Sequence, residues 1–190
     1  PDYASHLNNL AELYRNTGQF YKAEPLYLKT IDIEKKVFGE NYSDIAVTYH
    51  NLALLYSGAS MLDKAGEYCL KSLSLKQSVF GEDNPVCSET MSTLAYIYEC
   101  ANNFSEAEKY YTKALWLNYE RIINNFSFLS EEEKSNYLKT ISHYNDMFSS
   151  YAMKSKNSNP AITGLVYNNE LINKGILLRS SGKMKNAILN

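Results

Sequence analysis

A period of 42 residues governs this sequence, and it leaves few folds open. Residues 1–42, 43–84 and 85–126 align without a gap as PDYASHLNNLAELYRNTGQFYKAEPLYLKTIDIEKKVFGENY, SDIAVTYHNLALLYSGASMLDKAGEYCLKSLSLKQSVFGEDN and PVCSETMSTLAYIYECANNFSEAEKYYTKALWLNYERIINNF. Self-similarity at this spacing marks an array of stacked supersecondary units, none of which buries its apolar face alone. Early in each unit Leu10, Leu52 and Leu94 coincide, as do Ala11, Ala53 and Ala95, and Tyr14, Tyr56 and Tyr98. Their spacing of i, i+1, i+4 is one face of a helix. Later, Ala23, Ala65 and Ala107 coincide, followed by Tyr27, Cys69 and Tyr111, then Thr30, Ser72 and Ala114. This i, i+4, i+7 set is again one helical face. Between the two sets lie Thr17-Gly18, Ala59-Ser60 and Asn102-Asn103, residues suited to a turn.

Each unit therefore reads as helix A, short turn, helix B. The recurring alanines let two helices cross closely. Leu10, Tyr14, Phe20 and Tyr27 are expected to fill the space around the first crossing. Gly39 and Gly81, within the VFGE strings, are suited to positive φ and so to ending helix B, with the next helix starting near Ser43 or Pro85. The third unit has Ile123 at this place, so its helix B is expected to run on without the loop.

The pattern resembles the tetratricopeptide repeat (TPR) over residues 1 to about 120. The 42-residue length and the strings LNNLAELY, AEPLY and VFGE are similar to the kinesin-light-chain type. This resemblance implies an all-α fold, a right-handed superhelix of antiparallel helix hairpins, ending here in a C-terminal helical pair. It places three repeat units at 1–42, 43–84 and 85–126. Residues 127–190 would form two long helices, a degenerate repeat or a capping and linking region.

In that last segment Ser130 and Glu133 form a capping-box pattern. Tyr137, Ile141, Tyr144, Phe148 and Tyr151 then make one apolar helical stripe. Lys154 to Pro160 ends that helix, and Leu165, Ile172 and Ile176 carry an apolar face onward, toward Ile188. The strings FSFLSEEEKSNYL and LINKGILLRSS resemble the segment linking such repeats to a caspase-like protease (CHAT) domain in bacterial proteins. The resemblance implies that a protease domain, with its own histidine and cysteine, follows Asn190. The chain starts at Pro1 and stops within a helical-looking run, and both ends read as cuts in a longer protein.

Composition excludes several functions. The net charge of −2 gives no basic face for nucleic acid. Residues 1–120 hold 10 Lys and Arg against 16 Asp and Glu, and residues 121–190 hold 9 against 5, a bias that reads as solvated surface. No apolar run approaches the roughly 20 residues needed to cross a bilayer, and no signal peptide is visible. Cys69, Cys87 and Cys100 match no metal or redox spacing and read as reduced thiols of a cytoplasmic protein. Cys69 takes the core position of Tyr27 and Tyr111, while Cys87 and Cys100 are expected to be half exposed. His6, His50 and His143 converge with no nucleophile in the sequence, and His50 aligns with Asn8 rather than with His6. No catalytic residue, metal or cofactor is expected, and the chain is not read as an enzyme.

A partner is expected on the side of helix A opposite Leu10, Ala11 and Tyr14, which the TPR resemblance makes the concave face. In the first unit that side carries Ser5, Asn8, Asn9, Glu12 and Arg15. The second carries Val47, His50, Asn51, Leu54 and Ser57, and the third Glu89, Ser92, Thr93, Tyr96 and Glu99. Asparagine both donates and accepts, so Asn9 and Asn51, one repeat apart, suit an extended peptide backbone. Leu54 and Tyr96 would add an apolar spot. Asn8, Asn9 and Asn51 match the LNNLA string, whose asparagines are implied in peptide contacts in kinesin-light-chain-like repeats. Ser92 and Thr93 do not match it. Glu12, Leu54 and Tyr96 stand where a two-carboxylate clamp needs its asparagine, so that chaperone-tail specificity is not expected. The face would hold a peptide or protein, be covered by the chain's own C-terminal helices, by its protease domain or by a second copy in a homo-oligomer, or stand bare to solvent, and its asparagines would then simply bond to a neighbouring helix.

Overall fold

The computed structural model describes residues 2–125 and 130–155, with Ile162, Gly164 and Val166. The described residues form α-helices and one short 3₁₀ turn, with no strand among them. The helices are α1 (Asp2–Asn16), α2 (Phe20–Phe38), α3 (Ser43–Gly58), α4 (Leu62–Phe80), α5 (Ser88–Cys100), α6 (Phe104–Asn125) and α7 (Glu131–Ser155). The chain divides into two compact units, Pro1–Tyr110 and Tyr111–Asn190.

In the first unit, α1 pairs with α2 and α3 with α4, and each helix A then packs against the helix B before it, α3 on α2 and α5 on α4. The small residues sit at these crossings: Ala11, Ala23, Ala53, Ala65, Ala95 and Ala107 are all fully buried. Within a hairpin, the Ser72 hydroxyl donates to the Ala46 carbonyl at 2.7 Å, a distance that a bulkier residue at either position would open.

The three A–B turns are built alike. Gly18, Ser60 and Asn102 each take a left-handed φ, of 73°, 59° and 59°. The residue after each donates its N–H back across the turn, Gln19 to Tyr14, Met61 to Tyr56 and Asn103 to Tyr98, at 2.8 Å in all three cases. This is the six-to-one bond of a Schellman ending, which satisfies a carbonyl left open by the last turn of helix A. Glycine and asparagine tolerate that backbone, whereas Ser60 holds it under strain.

Helix B ends as the glycines predict. Gly39 and Gly81 have φ of 88° and 97° and close α2 and α4 by donating to Lys35 and Gln77. α6, with Ile123 at that place, runs on for 22 residues to Asn125. Ser43 opens α3 as expected. α5 begins one turn late, after the 3₁₀ turn Pro85–Cys87, where the Asn84 side chain accepts from the Val86 N–H. Proline supplies no N–H to a first turn, and the asparagine provides an acceptor beside it.

Two expectations are corrected. Leu10 does not fill a crossing: it is exposed, whereas Leu52 and Leu94 are fully buried. The latter two lie on helices packed against the helix B of the preceding hairpin, α3 on α2 and α5 on α4, whereas α1 packs chiefly against α2 of its own hairpin. Cys87 is fully buried rather than half exposed, because the 3₁₀ turn folds it inward, toward the Gly81 carbonyl. Cys100 is exposed, and Cys69 is buried with its thiol directed at the Thr90 carbonyl, 3.4 Å away.

In the second unit, Tyr111 of α6 packs its ring against Phe148 and Tyr151 of α7, at centroid distances of 5.9 and 5.2 Å. Ala114, Leu117 and Ala152 are buried with them. The capping box at the start of α7 is formed. The Ser130 N–H and hydroxyl both donate to the Glu133 carboxylate, and Ser130 Oγ accepts from the Glu133 N–H at 3.3 Å. These bonds hold the exposed Glu133 carboxyl below the usual carboxylate range. The side chains of Tyr137, Ile141 and Tyr144 lie outside the described residues, as do the break at 126–129, the segment 156–161, Leu165 and everything from residue 167 on, including Ile172, Ile176 and Ile188.

Candidate functional site

The helix-A face runs along α1, α3 and α5, all in the first unit. It is a row of polar side chains linked from helix to helix. Asn51 Nδ2 donates to Asn8 Oδ1 at 3.2 Å, tying α3 to α1. His50 Nε2 lies 3.8 Å from Glu89 Oε1, a carboxylate of α5. On α1 itself, Arg15 reaches Glu12 at 3.4 Å and Asn16 at 3.2 Å.

The ten residues expected to meet a partner are not equally accessible. Asn9 and Tyr96 are exposed, and Asn8, Glu12, Arg15, Asn51 and Leu54 are half-buried. His50, Ser92 and Glu99 are buried. Of their neighbours on the same face, Ser5, Val47 and Glu89 are exposed, Ser57 is half-buried and Thr93 is buried. The accessible part is therefore the α1 and α3 portion, with Tyr96 and Glu89 on α5.

Among the described residues, three buried polar atoms near these helices have no hydrogen-bond partner: Arg15 Nη1 on α1, His50 Nδ1 on α3 and the Tyr27 hydroxyl on α2. They share one electrostatic environment. Burial pushes the Tyr27 phenol up to about 12, with the Arg15 charge opposing and Glu12 reinforcing. Burial likewise lowers His50 to about 4, where Glu89 opposes and the cations Lys76 and Arg15 assist. His50 is thus a neutral imidazole at pH 7. At 3.8 Å its Nε2 lies beyond hydrogen-bond distance of Glu89. A buried polar group without a partner costs about 1–3 kcal/mol.

Below this face, the joints between hairpins carry buried charge, where residue type alone suggests solvated surface. Thr48 Oγ1 donates to Glu34 Oε2 at 3.3 Å between α3 and α2, and Lys76 Nζ donates to Thr90 Oγ1 at 2.8 Å between α4 and α5. Burial raises the Glu34 carboxyl and lowers the Lys76 ammonium from their ordinary values. The signal is present in the alignment, since Glu34 and Lys76 share one repeat position and Thr48 and Thr90 another.

A groove of about 520 Å³ opens elsewhere, lined by Lys35, Tyr49, Leu70, Lys71 and Ser74 among others. None of the ten expected residues lines it. Lys35 and Lys71 are paired there, with Glu40 at 3.3 Å and Glu67 at 2.6 Å. Among the described residues no helix is long and apolar enough to cross a membrane, and no three His, Cys, Asp or Glu side chains are grouped so as to hold a metal ion.

Stacked helical hairpins with a polar face shared by every helix A define an all-helical repeat protein. The tetratricopeptide-repeat model matches residues 2–65 and 44–116, and the chain belongs to the tetratricopeptide-repeat family. Repeats of this family mediate protein–protein interaction. Among solved structures the chain is similar to BtubC (BKLC) from P. vanneervenii, at 26% identity and a TM-score of 0.56, with 67% of this chain and 49% of that one covered. It thus spans about half the length of BtubC. It is also similar in fold to the kinesin-light-chain-like, nearly identical TPR-like repeats of a Podosopora anserina protein, at 12% identity, a TM-score of 0.54 and 97% coverage of both chains. A point variant of that protein gives the same identity and TM-score, with 98% of each chain covered. No curated protein matches the chain.

Proposed function

We propose that the helix-A face of α1, α3 and α5 binds an extended segment of a partner polypeptide. The observation that carries this reading is the accessible row of polar side chains on these helices, Asn8, Asn9, Arg15 and Asn51, with the Asn8–Asn51 pair joining α1 to α3. A peptide backbone alternates N–H donors and C=O acceptors, and a face mixing asparagine, arginine and imidazole groups complements both. Asn9 and Tyr96, the exposed members, would meet the partner first, and Leu54 would supply an apolar contact beside them. Residues 1–42, 43–84 and 85–126 act as the three units of this module. By the resemblance of residues 126 to about 182 to a CHAT-linking segment, the module controls a caspase-like protease domain of the same cytoplasmic protein.

A second reading, a scaffold whose face is covered by its own protein or by another copy, draws on the burial of Ser92, Thr93 and Glu99. A pull-down from native lysate separates the two. The parent chain is compared with a variant carrying Asn9→Ala, Asn51→Ala and Tyr96→Ala, matched in helical CD signal and melting point. Partners held by the parent and lost by the variant support the binding face. Identical partners for both, or none, remove it, and a size that rises with concentration in light scattering then favours the scaffold.

A further inference from the structure

The groove of about 520 Å³ beside α4 takes no part in the helix-A face, and its size suits a small ligand. One wall is a stripe of α4, where Glu67, Leu70, Lys71, Ser74 and Leu75 follow along one helical face. The other is the last turn of α2, with Lys35, and the loop after Gly39, which brings Glu40 back to that lysine. Tyr49 joins the lining from α3, the helix that packs on both α2 and α4.

Two ammonium groups belong to this lining. Lys71 Nζ donates to Glu67 at 2.6 Å and stands 4.7 Å from the centroid of the Tyr68 ring. Lys35 Nζ reaches Glu40 at 3.3 Å. The Tyr49 phenol is within electrostatic reach of both lysines. The carboxylates that neutralise them are loosely kept. The Glu40 and Glu67 side chains are 80% and 57% exposed, each more than the lysine it pairs with. Exposed pairs of this kind contribute little and are readily exchanged. One period on, Lys113 and Glu82 stand for Lys71 and Glu40, but Gln77 stands for Lys35, Met91 for Tyr49 and Trp116 for Ser74. The full set is therefore particular to this joint and is not a requirement of the repeat.

We infer that this groove binds an organic phosphate monoester, with the phosphate between Lys35 and Lys71 and the apolar body against Leu70 and Leu75. The charge count selects the ligand. A monoanion only exchanges one carboxylate for another. A phosphate monoester carries about −1.5 to −2 charges at pH 7, so it engages both ammonium groups at once. Its remaining oxygens can accept from the exposed Ser74 hydroxyl. Glu40 and Glu67 then turn fully into the solvent that already bathes them. Leu70 is exposed and Leu75 half-buried, which leaves apolar surface for the body of the ester to cover. The site lies apart from the peptide-binding face proposed above and does not depend on it.

The test is calorimetric titration of the whole chain near neutral pH with phenyl phosphate and with phenyl sulfate, a monoanion of the same shape. The expected result is saturable binding of phenyl phosphate, tighter than that of phenyl sulfate by about tenfold or more. Lys35→Ala with Lys71→Ala should weaken phenyl phosphate by about tenfold or more. Glu40→Gln with Glu67→Gln should tighten it roughly threefold, since no carboxylate then has to leave. A short neutral peptide carrying phosphotyrosine separates two sources of the same chemistry. An affinity equal to or above that of phenyl phosphate points to a phosphorylated polypeptide, and a weaker one to a small free ester. CD spectra and melting midpoints check that the variants fold, and the comparison of the two probes on the unaltered chain needs no variant. No saturable binding, equal affinity for the two probes, or an affinity unchanged by the lysine exchanges overturns the inference. So does a glutamine variant that binds phenyl phosphate no more tightly than the parent, because the ester then displaces no carboxylate.

Discussion

Lys76 and Thr90 meet across the α4/α5 joint, ammonium to hydroxyl at 2.8 Å, with both side chains buried. Burial disfavours the ammonium, the Glu89 carboxylate opposes that, and the threonine supplies a hydrogen bond. Thr90→Val keeps the shape and removes that bond. It should destabilise the chain by about 1–3 kcal/mol in urea unfolding. Adding Lys76→Met should recover most of the loss, since an apolar side chain of similar length needs no partner. A double variant no more stable than Thr90→Val alone would show that the pair is not coupled.

His50 gives the fold an acid dependence. Its folded pKa, about 4, lies below the ordinary value of 6.5, mainly through burial. The unfolded chain therefore binds more protons between these two values, and stability rises with pH across that window. The contribution is complete above pH 6.5 and falls by up to about 3 kcal/mol as pH drops to 4. Glu34, whose carboxyl is raised by burial, acts in the opposite sense, because folding then favours its protonation. His50→Asn, which installs the residue found at position 8, should flatten the dependence between pH 6.5 and 4 when unfolding is measured at stepped pH.

The left-handed positions predict opposite outcomes for two simple exchanges. Ser60 sits at φ 59° with a Cβ to accommodate, so Ser60→Gly should stabilise by roughly 0.5 kcal/mol after the greater freedom of the unfolded chain is allowed for. Gly81, at φ 97° and ψ 153°, occupies backbone that suits glycine almost alone. Gly81→Ala should cost about 1–3 kcal/mol even though a Cβ there would meet nothing within 4 Å. Paired urea melts read both.

The crossing at Ala65 should be intolerant of volume. Ala65→Leu inserts three carbons at a fully buried position of the α3/α4 hairpin and should cost about 1–3 kcal/mol. An unchanged melting midpoint would mean that the hairpin spreads to admit the side chain.

The hairpins were legible because their signals are local and repeated. Alanine at one repeat position, glycine at another and a turn residue between the helices fix crossings and ends without knowledge of the neighbours. The capping box at Ser130 was readable for the same reason. Leu10 was misjudged because periodicity gives a residue its direction on the helix, while its burial depends on which helix lies in that direction. Burial of His50, Ser92 and Glu99 escaped for a related reason. Helical angles assign a side chain to a direction, while depth depends on what the third dimension places there. The charges Glu34 and Lys76 look like surface residues by type, and only the threonines paired to them, each 14 residues further along the chain, betray the joint.

Those joints have a consequence for how such an array can change. A threonine hydroxyl gives a hydrogen to a carboxylate and accepts one from an ammonium with equal ease. Thr48 faces the first and Thr90 the second. The sign of the charge on helix B can therefore drift without any answering substitution on helix A. A duplicated segment inserted at a multiple of 42 residues would meet the same threonine at either of these two joints, so the connector accepts a helix B of either charge.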